Sequence, residues 1–336
     1  MTELKLNFEE IVQLIETRRN NAYRKVNEEL LMLYWDFGKY VSEKFELKLW
    51  KSKDIIELAY FLKLNYPKLQ GFSKTGIYRM KQFYETYKGN KIFSPLVRKL
   101  SWSNNLLILS STKTMEEKEF YLKMAIKNNY SKRELARQIN SSYFHRYMLS
   151  NGKAKMSINP LIDEENYPDT KILDTYTLEF LDLPNEYSEK DLRKSIISNL
   201  KQFILEIGKK FTFIEEEYRV QVGNKDYYID LLFYNRDLNC LVAFELKIGE
   251  FIPEYISKMD FYLEALDRQE RIKKENPSIG IILCAGKDEK VVEYSMSRTM
   301  SPTMVSEYKL KMIDKKILES KLKEITEILE KSIDKN

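Results

Sequence analysis

Histidine is almost missing from this 336-residue chain, with His145 the sole example, and cysteine occurs only at Cys240 and Cys284. One histidine and no cysteine cluster exclude a typical zinc site and argue against a histidine-based catalytic triad. Both cysteines lie in apolar, strand-like text and are expected to be buried thiols of a reducing compartment. No apolar run approaches membrane-spanning length, and the amino terminus lacks a signal-peptide pattern, so a cytoplasmic protein without a membrane partner is expected. Metal chemistry in such a chain has to be carboxylate chemistry.

What is present is charge, unevenly divided. Residues 1–155 hold 29 Lys and Arg against 16 Asp and Glu, a formal +13; residues 156–336 hold 27 against 35, a formal −8. A basic half favours a polyanionic partner and salt-sensitive binding. A solvated basic face remains the alternative. The length is ample for two domains.

The most informative text lies between residues 220 and 247. Three β-prone runs, Phe211 to Val222, Tyr227 to Tyr234 and Leu241 to Ile248, are separated by turn residues at Gly223-Asn224 and at Asn235 to Asn239. Their spacing predicts a meander of strands. Asp230 lies on the second run, with Glu245 and Lys247 on the third. Positions two apart on a strand share a face, so Glu245 and Lys247 project together and a hairpin can bring Asp230 beside them. Two carboxylates can hold a hard divalent cation, Mg2+ or Mn2+, and a lysine can orient a water or offset charge on a phosphoryl transition state. A buried ion pair among the same residues is the plainer alternative.

Asp230 followed by Glu245-Leu246-Lys247 resembles the PD-(D/E)XK nuclease motif, with Ile229 in place of the proline. The surrounding words resemble the YhcG-type family: Tyr228-Ile229-Asp230-Leu231-Leu232-Phe233-Tyr234, Glu245-Leu246-Lys247-Ile248-Gly249, Phe251-Ile252-Pro253-Glu254-Tyr255 and Lys258-Met259-Asp260-Phe261-Tyr262-Leu263. The resemblance implies an α+β two-domain protein: an all-α amino-terminal domain, then a restriction-endonuclease-like α/β domain with a central mixed sheet. It also implies a metal-dependent DNA endonuclease, acting in defence, restriction, recombination or repair. An amphipathic helix from Ser188 to Ile207, the three strands, a helix from Pro253 to about Leu266 and an apolar strand from Ile279 to Cys284 give the α-β-β-β-α-β order of that core.

The chain also departs from the family pattern. Relatives carry a glutamate just after the position of Leu192, where Arg193 stands, and Glu206 is the candidate first-helix acid by its match to another carboxylate of the pattern. They tend to read Gly-Arg-Gln where Glu215-Glu216-Glu217 stands here. Those three acids are candidates for a metal ligand, for repulsion of a phosphate backbone, or for a solvated strand edge. Asn104 stands where the family word commonly has histidine, and a capping and packing role is expected for its segment.

The basic half reads as helical: Phe8 to Lys25, Glu28 to Phe45, Ser52 to Leu64, Lys74 to Tyr87, Met115 to Asn128 and Ser131 to Met148. The stripe expected to be buried on the third of these is Ile55, Ile56, Leu58, Ala59 and Leu62. The Pro- and Gly-containing turn before Ser73, itself a good cap, gives the arrangement of a helix-turn-helix. Lys74, Thr75, Tyr78, Arg79, Lys81 and Gln82 on the following helix suit phosphate and base contacts. Lys258 and Tyr262, one turn apart after the active strand, are candidates for phosphate contact near the site.

The expected organisation is a basic helical domain over residues 1–150, a linker over 151–170, and a nuclease-like domain with a carboxy-terminal helix over 171–336. Asp230 and Glu245 are expected to bind Mg2+ or Mn2+, Lys247 to act on the water or the transition state, and Glu206 to complete the site. DNA is the expected partner, with a second copy of the chain or other subunits of a nuclease system as open additions. A catalytically inactive nucleic-acid-binding scaffold and an RNA nuclease are the competing functions.

Overall fold

In a computed structural model, residues 3–89, 93–157, 172–297, 299 and 301–333 are described. The chain divides into two compact units, Met1–Ile139 and Asn140–Asn336.

The first unit is helical: α1 (Glu3–Glu46), α2 (Ser52–Asn65), α3 (Lys74–Tyr87), α4 (Phe93–Val97), α5 (Trp102–Ser111), α6 (Met115–Lys127) and α7 (Lys132–Asn140). The break expected near residue 27 does not form. Asn27 turns its amide away from capping and donates to the carbonyls of Arg98 and Leu100, so α1 runs on unbroken. On α3, Ser73 accepts from the Gly76 amide at 3.2 Å and supplies the expected cap. Aromatic edge-to-face contacts build the core, with Trp35 on Phe83 and Tyr84, and Trp102 on Phe83. Of the stripe expected on α2, Ile55 is fully buried and Ile56 faces outward. Asn104 has the packing role expected of it: Ser101 caps α5 through the Asn104 amide, and the Asn104 side chain donates to Tyr130 O.

The second unit opens with α8 (Tyr143–Ser157), ahead of the boundary expected at residue 150. The single helix expected over Ser131 to Met148 is broken at Ser142, whose φ of 54° cannot continue a helix. The expected linker overlaps the end of α8, and its remainder, 158–170, lies outside the described residues. There follow β1 (Thr175–Thr177), α9 (Glu189–Ser198), α10 (Leu200–Ile207), β2 (Phe211–Val222), β3 (Lys225–Asn235), β4 (Cys240–Glu250), α11 (Glu254–Gln269), β5 (Ile279–Gly286), α12 (Glu289–Met296), β6 (Thr303–Lys309) and α13 (Lys315–Ile333).

These strands form one mixed sheet in the order β1-β6-β5-β4-β3-β2, antiparallel from β2 to β4 and parallel from β4 to β1. The expected helical unit and mixed α/β sheet are both present. One face of the sheet carries an aromatic cluster of Phe203, Phe211, Phe233 and Phe244. The other packs Ile229, Leu232, Leu241 and Ala243 against Met259, Leu263 and Leu266 of α11. Alternation along β4 then places Glu245 and Lys247 on the α11 face. The expected helix 188–207 is two helices, because Asn199 (φ −116°, ψ 28°) leaves helical geometry between α9 and α10.

Candidate active site

Register sets up the site. Across β2 and β3, Glu216 pairs with Leu231 and Tyr218 with Ile229, so Glu217 falls opposite Asp230. Across β3 and β4, Leu231 pairs with Phe244, and one step further sets Asp230 opposite Glu245. Three carboxylates therefore stand in a row over three strands. Glu217 holds the left-handed φ of 49°, a conformation sparsely populated by residues with a Cβ.

Cations fill the spaces between these acids. Asp230 Oδ2 accepts from the Leu246 amide at 2.8 Å, and Oδ1 accepts from Arg193 Nη1 at 3.0 Å. Arg193 Nη2 reaches Glu217 at 2.6 Å, while its Nε lies 3.9 Å from Glu216 and has no hydrogen-bond acceptor among the described residues. Glu245 is 1% exposed. Its Oε1 meets Lys258 at 2.5 Å and Lys247 at 2.9 Å. Among the described residues its Oε2 is buried without a partner. Lys247 also holds Glu189 at 2.9 Å and lies over the Tyr255 ring.

Burial alone lowers the pKa of Lys247, but hydrogen bonds and charge from Glu189 and Glu245 outweigh it and raise the value above that of an ordinary lysine. Lys258 is raised in the same way, with the Glu245 hydrogen bond overcoming burial. Both are ammonium groups at neutral pH. Lys247 can therefore donate to an oxygen but cannot accept a proton in this state.

Asp230, Glu245, Lys247 and Lys258 are thus brought together. Tyr262 is adjacent: its ring faces Lys258, and its hydroxyl donates to Tyr228 O at 2.7 Å. Glu206 is not part of the group, which corrects its assignment as the first-helix acid. It is 0% exposed, paired with the equally buried Arg146 of α8, and accepts from the Thr177 amide. The break at Asn199 separates α10 from the helix that reaches the site, so the periodicity of one continuous helix mislocates it. The acid that α9 does deliver is Glu189. Its signal was present in the sequence: Glu189 and Arg193, four apart, flank the apolar stripe of Leu192 and Ile196. On α3, Lys74, Thr75, Arg79 and Gln82 are exposed, whereas Tyr78 is half-buried against the Val41, Ile55 and Ile77 cluster.

The residues fit a hard cation. Glu189, Glu216, Glu217, Asp230 and Glu245 face three cations, Arg193, Lys247 and Lys258, a formal −2. The unpartnered Glu245 Oε2 is a hard oxygen donor of the kind such an ion takes. Among the described residues no three His, Cys, Asp or Glu side chains form a ready-made metal cage. Arg193 stands between Glu217 and Asp230.

Residues 169–323 match the YhcG PDDEXK nuclease domain, and residues 10–146 match the DUF1016 N-terminal domain. The chain belongs to the YhcG-type family. A curated relative, "Putative nuclease YhcG" of Escherichia coli strain K12, is 28% identical across 95% of this chain and 94% of its own length. A solved repair endonuclease from Pyrococcus abyssi is 18% identical, over 38% of this chain and 50% of that one, with a TM-score of 0.27. An EndoMS–dsDNA complex is 17% identical, over 38% and 47%, with a TM-score of 0.27. This chain thus spans about half the length of those solved nucleases. PDDEXK nucleases generally use divalent metal ions. Among the described residues no helix is long and apolar enough to cross a membrane.

Proposed function

We propose that the chain is a divalent-metal-dependent DNA endonuclease, with Asp230 and Glu245 holding Mg2+ or Mn2+. The observation that carries this reading is the buried Oε2 of Glu245, unpartnered among the described residues, with Lys247 two residues on along β4 and Asp230 on the adjacent β3. Leaving a carboxylate oxygen buried and unpaired is costly, and a bound cation would remove that cost. The ion, when bound, supplies Lewis acidity toward a phosphoryl oxygen and acidifies an attacking water. Asp230, fixed by the Leu246 amide, orients one side of that site. Lys247, fixed by Glu189, presents an ammonium N–H to the water or to a phosphoryl oxygen that gains charge. Lys258 borders the site and offers a cation to a backbone phosphate, whereas Tyr262, expected beside it as a phosphate contact, is buried with its hydroxyl committed to Tyr228 O and serves Lys258 through its ring.

The helical unit supplies the sequence-independent grip. Lys74, Thr75, Arg79 and Gln82 of α3 form an exposed polar face, and residues 1–155 carry a formal +13. Tyr78, being half-buried, joins that face by its edge alone.

One experiment separates this function from its competitors. The protein is incubated with supercoiled plasmid, linear duplex, branched DNA, single strands and RNA, each with Mg2+ or Mn2+, with EDTA and Glu245→Gln as controls. Cleavage of a DNA form that both controls abolish supports the reading. Cleavage of RNA alone reassigns the substrate. Binding by folded protein without cleavage of any substrate favours the scaffold, a reading consistent with carboxylates already neutralised by Arg193 and Lys258.

A further inference from the structure

Resting on that reading, we propose that Arg193 competes with the divalent ion for Asp230 and, once displaced by it, becomes the cation that binds the scissile phosphate. Among the described residues two polar atoms of this site are buried and unsatisfied, and they are of opposite kind: the acceptor Oε2 of Glu245 and the donor Nε of Arg193. A cation satisfies the first and an anion the second. A metal ion carrying a phosphate presents both charges at once.

The rest of the guanidinium is placed for such an exchange. Nη1 occupies Asp230 Oδ1, an oxygen that the ion needs, because Oδ2 is already committed to the Leu246 amide. Nη2 is held by Glu217, whose left-handed backbone turns it toward the row. Loss of the Asp230 contact therefore leaves Arg193 anchored at the site, with Nη1 and Nε both unfilled. Nη1, released from Asp230 while Glu217 keeps Nη2, is then free to donate to a phosphoryl oxygen. Arg193 stands where an acid would add a further negative charge beside Asp230. The chain thus carries a positive charge in its place.

The test uses the full-length protein and two binding measurements that need no turnover. Mn2+ affinity is read by calorimetry without DNA. Affinity for a labelled duplex is read by anisotropy in Ca2+ and in EDTA, with the DNA checked to be intact. Removing a competing cation frees the metal site, so Arg193→Gln is expected to bind Mn2+ at least about tenfold more tightly than wild type. Losing a charge-assisted phosphate contact should weaken its duplex binding about tenfold in Ca2+ and by less than about twofold in EDTA. A merely structural role would move both duplex affinities alike.

Arg193→Gln that folds, shown by its near-UV circular dichroism, and binds Mn2+ no more tightly than wild type overturns the inference. So does an equal loss of duplex affinity with and without metal. Should Arg193→Gln not fold, Arg193→Lys carries the same test, with changes of about threefold expected because it keeps the charge and loses the planar fork. Mn2+ binding that survives Asp230→Asn combined with Glu245→Gln refutes the metal site itself. Mn2+ binding lost in that double variant but unchanged by Arg193→Gln refutes the role of Arg193 alone.

Discussion

The guanidinium of Arg193 donates to Oδ1 of Asp230 at 3.0 Å while the Leu246 amide donates to Oδ2 at 2.8 Å. Asp230 is therefore a structural acceptor as well as a site residue, and its substitutions should separate the two roles. Asp230→Asn keeps an acceptor for Leu246 and should leave urea stability near wild type while removing metal-dependent activity. Asp230→Ala strands the amide and half of Arg193, and should cost about 1–3 kcal/mol in a urea melt. Equal stability of the two variants would show that the Leu246 bond contributes nothing.

Glu206 and Arg146 form a pair with both side chains out of water. Removing one partner leaves an uncompensated buried charge, so Glu206→Ala should lose about 3–5 kcal/mol of stability. Any activity should survive in proportion to the folded fraction. Loss of activity in fully folded Glu206 variants, measured below their melting temperature, would restore Glu206 to the site.

Gly38 of α1 lies against the backbone of α3: an added Cβ would sit 2.2 Å from Met80 O. Alanine normally favours a helix by roughly 1 kcal/mol over glycine. Here the helices must part to admit it, and overpacking typically costs about 1–3 kcal/mol. Gly38→Ala should therefore lower the thermal midpoint, and a midpoint at or above wild type would mean that the two helices can separate freely.

The strand meander and its Asp-Glu-Lys trio were legible because both features are local. Apolar runs bounded by Gly223-Asn224 and by Asn235 to Asn239 fix the hairpins, and the period of two sets Glu245 and Lys247 on one face. Backbone breaks that depend on distant partners were not legible. Asn27 reads as a helix boundary until its amide is seen on Arg98 and Leu100, and Asn199 reads as helical although it divides α9 from α10. That second break moved Glu206 out of the site and left Glu189 to take its place. Strand β1 is three residues long and β6 mixes Thr303, Ser306 and Glu307 among its apolar residues, so neither announces itself by composition. The pairing of Arg193 with Asp230 joins α9 to β3, and that of Arg193 with Glu217 joins α9 to β2, contacts between distant segments that no local pattern encodes.

Burial pushes the Cys284 thiol up to about 11 and the Cys240 thiol up to about 12. Both should resist a disulfide reagent at pH 8 in the native state and react on unfolding. A folded-state pKa raised above the unfolded value means stability that is complete below about pH 9 and lost as pH rises toward 11–12, as the unfolded thiols ionise first. Urea melts at pH 8 and 10.5 should show a smaller drop for Cys284→Ala than for wild type. An identical drop would assign the alkaline loss to other groups.

The most direct measurement is the cleavage rate of a labelled DNA duplex by wild type and by Lys247→Ala at saturating Mn2+, with both proteins shown to be folded. The account expects wild-type cleavage, and a loss of about 10²–10³-fold in the variant from removing an ammonium aimed at developing charge. A folded Lys247→Ala protein that cuts as fast as wild type would contradict the assignment of Asp230, Glu245 and Lys247 as the reacting centre.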